Sequence, residues 1–118
     1  MSKHNFKKLK IWLEAMSLCR SIFEITNSFP KSELYSLTSQ INRSAVSVPS
    51  NIAEGSSRSS NKDFNRFLEI GLGSLYELQT QIILSSFKNY INTKELKETE
   101  FKIEELQKMI SGFQKILK

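Results

Sequence analysis

The chain has 118 residues, 39% of them hydrophobic, a net charge of +5, one cysteine and one histidine. That length supports one hydrophobic core and not two, so a single domain over residues 1–118 is expected. No apolar run approaches the roughly 20 residues that cross a bilayer, and a lone Cys19 excludes an intrachain disulfide framework.

Four Gly and two Pro in the whole chain point to long regular elements joined by short connections. The opening MSKHNFKKLK is basic but has no apolar segment or small-residue cleavage site, so no secretion signal is read and the cytoplasm is the expected compartment. The charge is unevenly placed: residues 1–59 carry eight Lys/Arg against four Glu, and residues 60–118 carry nine against eight acidic residues. Such an excess is the footprint of a protein that meets polyanions, and it equally describes a solvated basic surface.

The apolar residues recur at helical spacing along most of the chain. A first helix is predicted over about 6–28, with Phe6, Leu9, Leu13, Met16, Cys19 and Phe23 as its stripe and Trp12, Leu18 and Ile22 widening it. Phe29-Pro30 ends it, because proline disfavours helical geometry in the residue before it. Ser32 then reads as an N-cap, with Glu33 in the first turn facing the positive end of the helix dipole.

The second helix, about 33–55, carries Leu34, Leu37, Ile41, Ala45, Val48 and Ile52. Its stripe passes through Pro49 without losing phase. A proline there deletes the hydrogen bond to the Ala45 carbonyl, so a kinked but continuous helix is expected, with a break at Pro49 as the alternative. Gly55 is placed to end that helix as a left-handed C′ residue. Ser60-Asn61-Lys62-Asp63 has the form of a capping box. Behind it a third helix, about 61–88, runs through Phe64, Phe67, Leu68, Gly71, Leu75, Leu78 and Ile82. Gly71, Gly73 and Ser74 are small residues that let another helix approach. Asn92-Thr93 caps a fourth helix, about 94–117, with Leu96, Thr99, Ile103, Leu106, Ile110, Phe113 and Leu117 inward. The fold class expected is all-α: an antiparallel up-down-up-down four-helix bundle whose second helix is kinked at a proline.

Residue chemistry argues against catalysis and cofactors. The stretch GSSRSSNK (Gly55–Lys62) lacks the second glycine of a nucleotide-binding loop and follows no strand. His4 stands alone near the terminus, so no nucleophile–histidine system is expected. One Cys and one His do not make a zinc site, and the Glu-x-x-His pairs of a di-iron bundle are absent. Glu54, Glu69 and Glu77 read as surface or capping carboxylates in preference to a magnesium cluster. Cys19 reads as a small core residue. Trp12, Phe6 and Phe23 read as core or interface in preference to a stacking platform. No enzyme, no metal and no cofactor are expected.

The run SQINRSAVSVPSNIAEGSSRSS (Ser39–Ser60) resembles the core signature of the bacterial four-helix-bundle proteins encoded in 23S rRNA intervening sequences. LKIWLEA (Leu9–Ala15), FPKSELYSLTSQ (Phe29–Gln40), FLEIGLGSLYELQTQI (Phe67–Ile82) and LQKMISGF (Leu106–Phe113) follow in the family's order, so the resemblance spans nearly the whole chain. Ser36 departs from the glycine common at that turn. The resemblance implies a four-helix protomer and a ring-like homopentamer. It extends to the accessory proteins of diversity-generating retroelements, basic pentamers implicated in binding nucleic acid and a reverse transcriptase. It supplies no defined activity.

Two residue sets follow. Gln40, Ser47, Asn51, Glu54, Ser74 and Glu77 lie on central helix positions, where an interface or buried polar network would satisfy them. Lys3, Lys7, Lys8, Lys10, Arg43, Arg58, Lys62 and Arg66 are the candidate phosphate contacts, Arg58 and Lys62 beside the anion-favouring start of the third helix. The function expected is a non-catalytic homo-oligomer that binds structured nucleic acid, RNA favoured over DNA. The alternative is a scaffold for a protein partner such as a polymerase.

Overall fold

A computed structural model describes residues 5–117. Four long helices dominate it: α1 (Lys10–Thr26), α2 (Leu37–Ser56), α3 (Asn61–Phe87) and α4 (Thr93–Leu117), with short 3-10 turns at Phe6–Lys8 and Lys31–Glu33 and no strand among the described residues. The side-chain pairs between neighbours fix how they run. Gly55 lies against Phe64 and Phe67, Ser47 meets Ser74, and Ser44 meets Glu77 and Gln81, so numbering rises along α2 as it falls along α3. Asn61 to Leu117, Glu69 to Gln114 and Gln79 to Glu100 trace the same opposition between α3 and α4. Cys19 to Ala45 and Thr26 to Asn42 do so between α1 and α2.

Caps account for two helix starts. Ser60 Oγ accepts from the Asp63 amide at 3.1 Å. Asn92 and Glu95 exchange two such bonds, Asn92 Oδ1 accepting at 2.8 Å and Glu95 Oε1 at 3.0 Å, a reciprocal capping box. The start of α2 lies later than the sequence suggests. Ser32 sits in the 3-10 turn, and Ser36 takes the N-cap position with φ −127° and ψ −101°, neither helical nor extended. Its hydroxyl turns back to the Glu33 carboxylate at 2.6 Å in place of capping an amide.

Gly55 is not a left-handed terminator. It is helical, α2 ends one residue later at Ser56, and no glycine of the described chain has a positive φ. Its missing Cβ matters for another reason: a carbon there would stand 2.8 Å from Phe67 Cβ and 2.9 Å from Phe64 Cδ1. Glycine therefore sets how closely α2 and α3 approach.

The α2 helix runs unbroken through Pro49. The Ala45 carbonyl, which loses its amide partner to the proline ring, instead accepts the Cys19 thiol at 3.1 Å. Burial pushes that thiol up to about 11, so it stays protonated and able to donate.

The core holds Ile22, Ile41, Ile52, Phe64, Leu68, Leu75, Leu78, Ile82, Ile103 and Ile110, all fully enclosed. On α1 the inward stripe is Ile11, Ala15, Leu18, Cys19 and Ile22. This corrects the phase expected from sequence, because Leu13, Met16 and Phe23 are 50%, 45% and 41% exposed. No described helix is long and apolar enough to cross a membrane.

Candidate nucleic-acid interface

Antiparallel neighbours bring the start of α1, the end of α2, the start of α3 and the end of α4 to one end of the bundle. Phe6 packs edge-on against Trp12 at 5.2 Å and seats the 3-10 turn there. Lys7, Lys8, Lys10 and Lys62 are exposed at this end, as is Lys115, which the sequence reading passed over because it lies far away in the chain. None of these five lysines takes part in an ion pair among the described residues. Lys3 lies outside the described residues.

The arginines behave differently. Arg58 reaches Glu54 at 3.1 Å and lies 4.7 Å over the Phe67 ring. Arg66 stands 3.7 Å from Asp63 and 5.8 Å from the same ring. Phe67 thus underlies two guanidinium groups, each with a carboxylate beside it. Cation–π contact and ion pairing hold these side chains in place, leaving the lysines as the uncompensated charges. Arg43 is exposed but does not join them. It lies thirteen residues before Ser56, the end of α2, about 20 Å of helix at 1.5 Å per residue.

The expected polar network divides as well. Ser47 and Ser74 hydroxyls meet at 2.8 Å, and the Asn51 amide donates to the Ser47 carbonyl at 2.8 Å and its hydroxyl at 3.0 Å. The Ser44 hydroxyl lies 3.1 Å from Glu77 Oε1 and 2.9 Å from Gln81 Oε1. Ser44 and Gln81 are therefore members that the sequence reading left out of the network. Both are buried, and their spacing of four from Val48 and Ser85, on the inner helix faces, is the signal that could have found them. Gln40 and Glu54 are exposed, and Glu54 serves Arg58. The network ties α2 to α3 through small hydroxyls that let the backbones come close.

Glu54, Glu69 and Glu77 face Arg58, Gln114 and Ser44 respectively, three separate partners. Among the described residues no group of His, Cys, Asp and Glu is arranged to hold a metal ion. Along the outer face of α1, Leu13, Met16, Arg20 and Phe23 line an open groove of about 470 Å³.

A family model described as 23S rRNA-intervening sequence protein matches residues 7–112. A crystal structure at 1.70 Å of a protein of unknown function, from the S23 ribosomal protein family of Bacteroides thetaiotaomicron, has the same fold with a TM-score of 0.82 and 21% identity, covering 89% of this chain and 98% of that one. No curated protein matches.

Proposed function

The chain belongs to the 23S rRNA-intervening sequence protein family, and on that premise we propose that it is a non-catalytic, homo-oligomeric protein that binds structured RNA or DNA through the basic end of its bundle. The observation that carries this reading is the convergence of Lys7, Lys8, Lys10, Lys62 and Lys115, exposed and without ion-pair partners among the described residues, from the first 3-10 turn, α1, α3 and α4 onto one end. Arg58 and Arg66 anchor that end and shape it. In an assembly, five protomers by the family resemblance, repeated weak phosphate contacts add through multivalency. The exposed apolar row on α1 offers such an assembly a contact face.

Fluorescence anisotropy with a labelled RNA hairpin and a matched DNA duplex, each across a salt series, tests the reading. Affinity is expected to fall steeply with salt, each phosphate contact adding about 0.9 to the log–log slope on duplex DNA. The combined Lys7→Glu, Lys8→Glu and Lys62→Glu variant is expected to bind at least about tenfold more weakly and with a shallower slope. Unchanged affinity in that variant would remove the basic end from the interface. Absence of binding at low salt would favour the second reading, a scaffold for a protein partner. That reading draws on the α1 groove lined by Leu13, Met16 and Phe23.

A further inference from the structure

The free charges of the basic end fall into two groups. Helices α1 and α3 stand at opposite corners of the bundle, each packed on α2 and α4, in a molecule 24 Å by 20 Å across. Lys7 and Lys8 in the first 3-10 turn and Lys10 in α1 form one group. Lys62 at the start of α3 and Lys115 near the end of α4 form the other. Lys115 lies on the α3 side of its helix, sharing an open face with Tyr76, which is itself about 21 Å along α3 from Lys62. The forked cations between the groups are engaged: Arg58 and Arg66 lie on Phe67 beside Glu54 and Asp63. The rings at this end are engaged too. Phe6 meets Trp12 at 5.2 Å, Phe64 meets Phe113 at 5.5 Å, and Phe67 carries the two guanidinium groups.

We propose that the basic end takes double-stranded nucleic acid, each group of lysines meeting the phosphates of a different strand. The inference rests on the nucleic-acid reading above and names its substrate class. A lysine ammonium is a point charge that meets any phosphate, whereas a guanidinium fork can also read a guanine edge. With both forks held on Phe67, the contacts left to this end are to the backbone, and they carry no sequence information. A single strand offers one row of charges about 3.4 Å apart. A duplex offers two rows, with a charge for about every 1.7 Å of axis. Two groups of lysines set on different sides of one end match two rows. Proteins that favour single strands stack bases on exposed rings, and the rings at this end pack on one another or lie under arginine. At about 3.4 Å per base pair, the 24 Å width of the end spans about 7 base pairs.

The test is anisotropy on three ligands with equal numbers of phosphates: a blunt RNA duplex, a DNA duplex of the same sequence and an oligouridine strand. The wild-type protein is expected to bind a duplex at least about tenfold more tightly than the strand, and the tighter duplex identifies the source. Lys62→Gln changes an exposed side chain and takes charge from one group alone. It is expected to weaken duplex binding by about threefold or more while strand affinity stays within about twofold, so the preference narrows. A strand bound as tightly as the duplexes overturns this inference alone. So does a duplex preference that Lys62→Gln leaves unchanged, because the lysines would then act as one patch. Failure to bind any of the three overturns it along with the nucleic-acid reading.

Discussion

At the scale of single residues, the most informative pair is Cys19 and Pro49. The proline removes an amide from the middle of α2, and the thiol from α1 takes its place at the Ala45 carbonyl, 3.1 Å away. A buried carbonyl left unsatisfied costs about 1–3 kcal/mol. Cys19→Ala is therefore expected to destabilise the protein by that order. In a Pro49→Ala background the amide restored at that position can bond the Ala45 carbonyl itself, so the same cysteine substitution should cost about 1 kcal/mol less. Urea unfolding of the four proteins closes the cycle. Strictly additive losses would show that the thiol contributes packing alone.

At the scale of elements, glycines of opposite consequence lie on the packed α2–α3 pair. A Cβ on Gly55 collides with the Phe64 and Phe67 side chains, whereas one on Gly73 meets nothing within 4 Å. Gly55→Ala is expected to lower stability by about 1–2 kcal/mol, overpacking outweighing the gain in helix propensity. Gly73→Ala is expected to raise it by about 0.5–1 kcal/mol. Thermal unfolding should move in opposite directions for the two, and a shared sign would refute the packing account of Gly55.

The same elements show what the sequence made legible. Helix number, the Ser60 and Asn92 caps, and the inward stripes of α3 and α4 follow from local chemistry and period. The phase of α1 does not. That helix is apolar on two faces, and the bulkier row of Leu13, Met16 and Phe23 outweighs the inward Ala15 and Cys19 in any reading that counts large side chains. The part played by Gly55 is not legible either, because a left-handed turn and a close helix approach call for the same residue. The candidate site was legible as a set of basic residues, not as a place. Which lysines stay free, and which arginines are held on Phe67, depends on contacts made across helices.

At the scale of the whole molecule, 48 Å along its longest axis, one end is fastened by Glu33. The α1–α2 connection supplies the carboxylate, and the α3–α4 connection supplies Lys88 at 3.0 Å and Tyr90 at 2.7 Å. Hydrogen bonds from Ser36 first, then from Tyr90 and Lys88, hold the carboxyl down to about 2 from an ordinary 4.5. Between those values the unfolded chain takes up a proton that the folded one refuses, so the contribution to stability is complete above about 4.5 and disappears as the pH falls toward about 2. Glu33→Gln is expected to lower the urea midpoint at pH 6, and the gap to wild type should close through that window. A gap that stays constant into acid would mean that the charge is not what holds the two connections together.

The thiol that replaces an amide also has a consequence for register. In the interior of a helix without proline every carbonyl is taken, and a neighbouring helix can slide by a turn at the expense of packing alone. Here Pro49 opens an acceptor in the interior of α2, the Ala45 carbonyl, and the buried Cys19 thiol on α1 fills it. Sliding α1 by one turn, about 5.4 Å, would set the thiol against an acceptor already in use and strand the Ala45 carbonyl in the core. The proline thus marks one position on an otherwise repetitive surface, and the cysteine finds it.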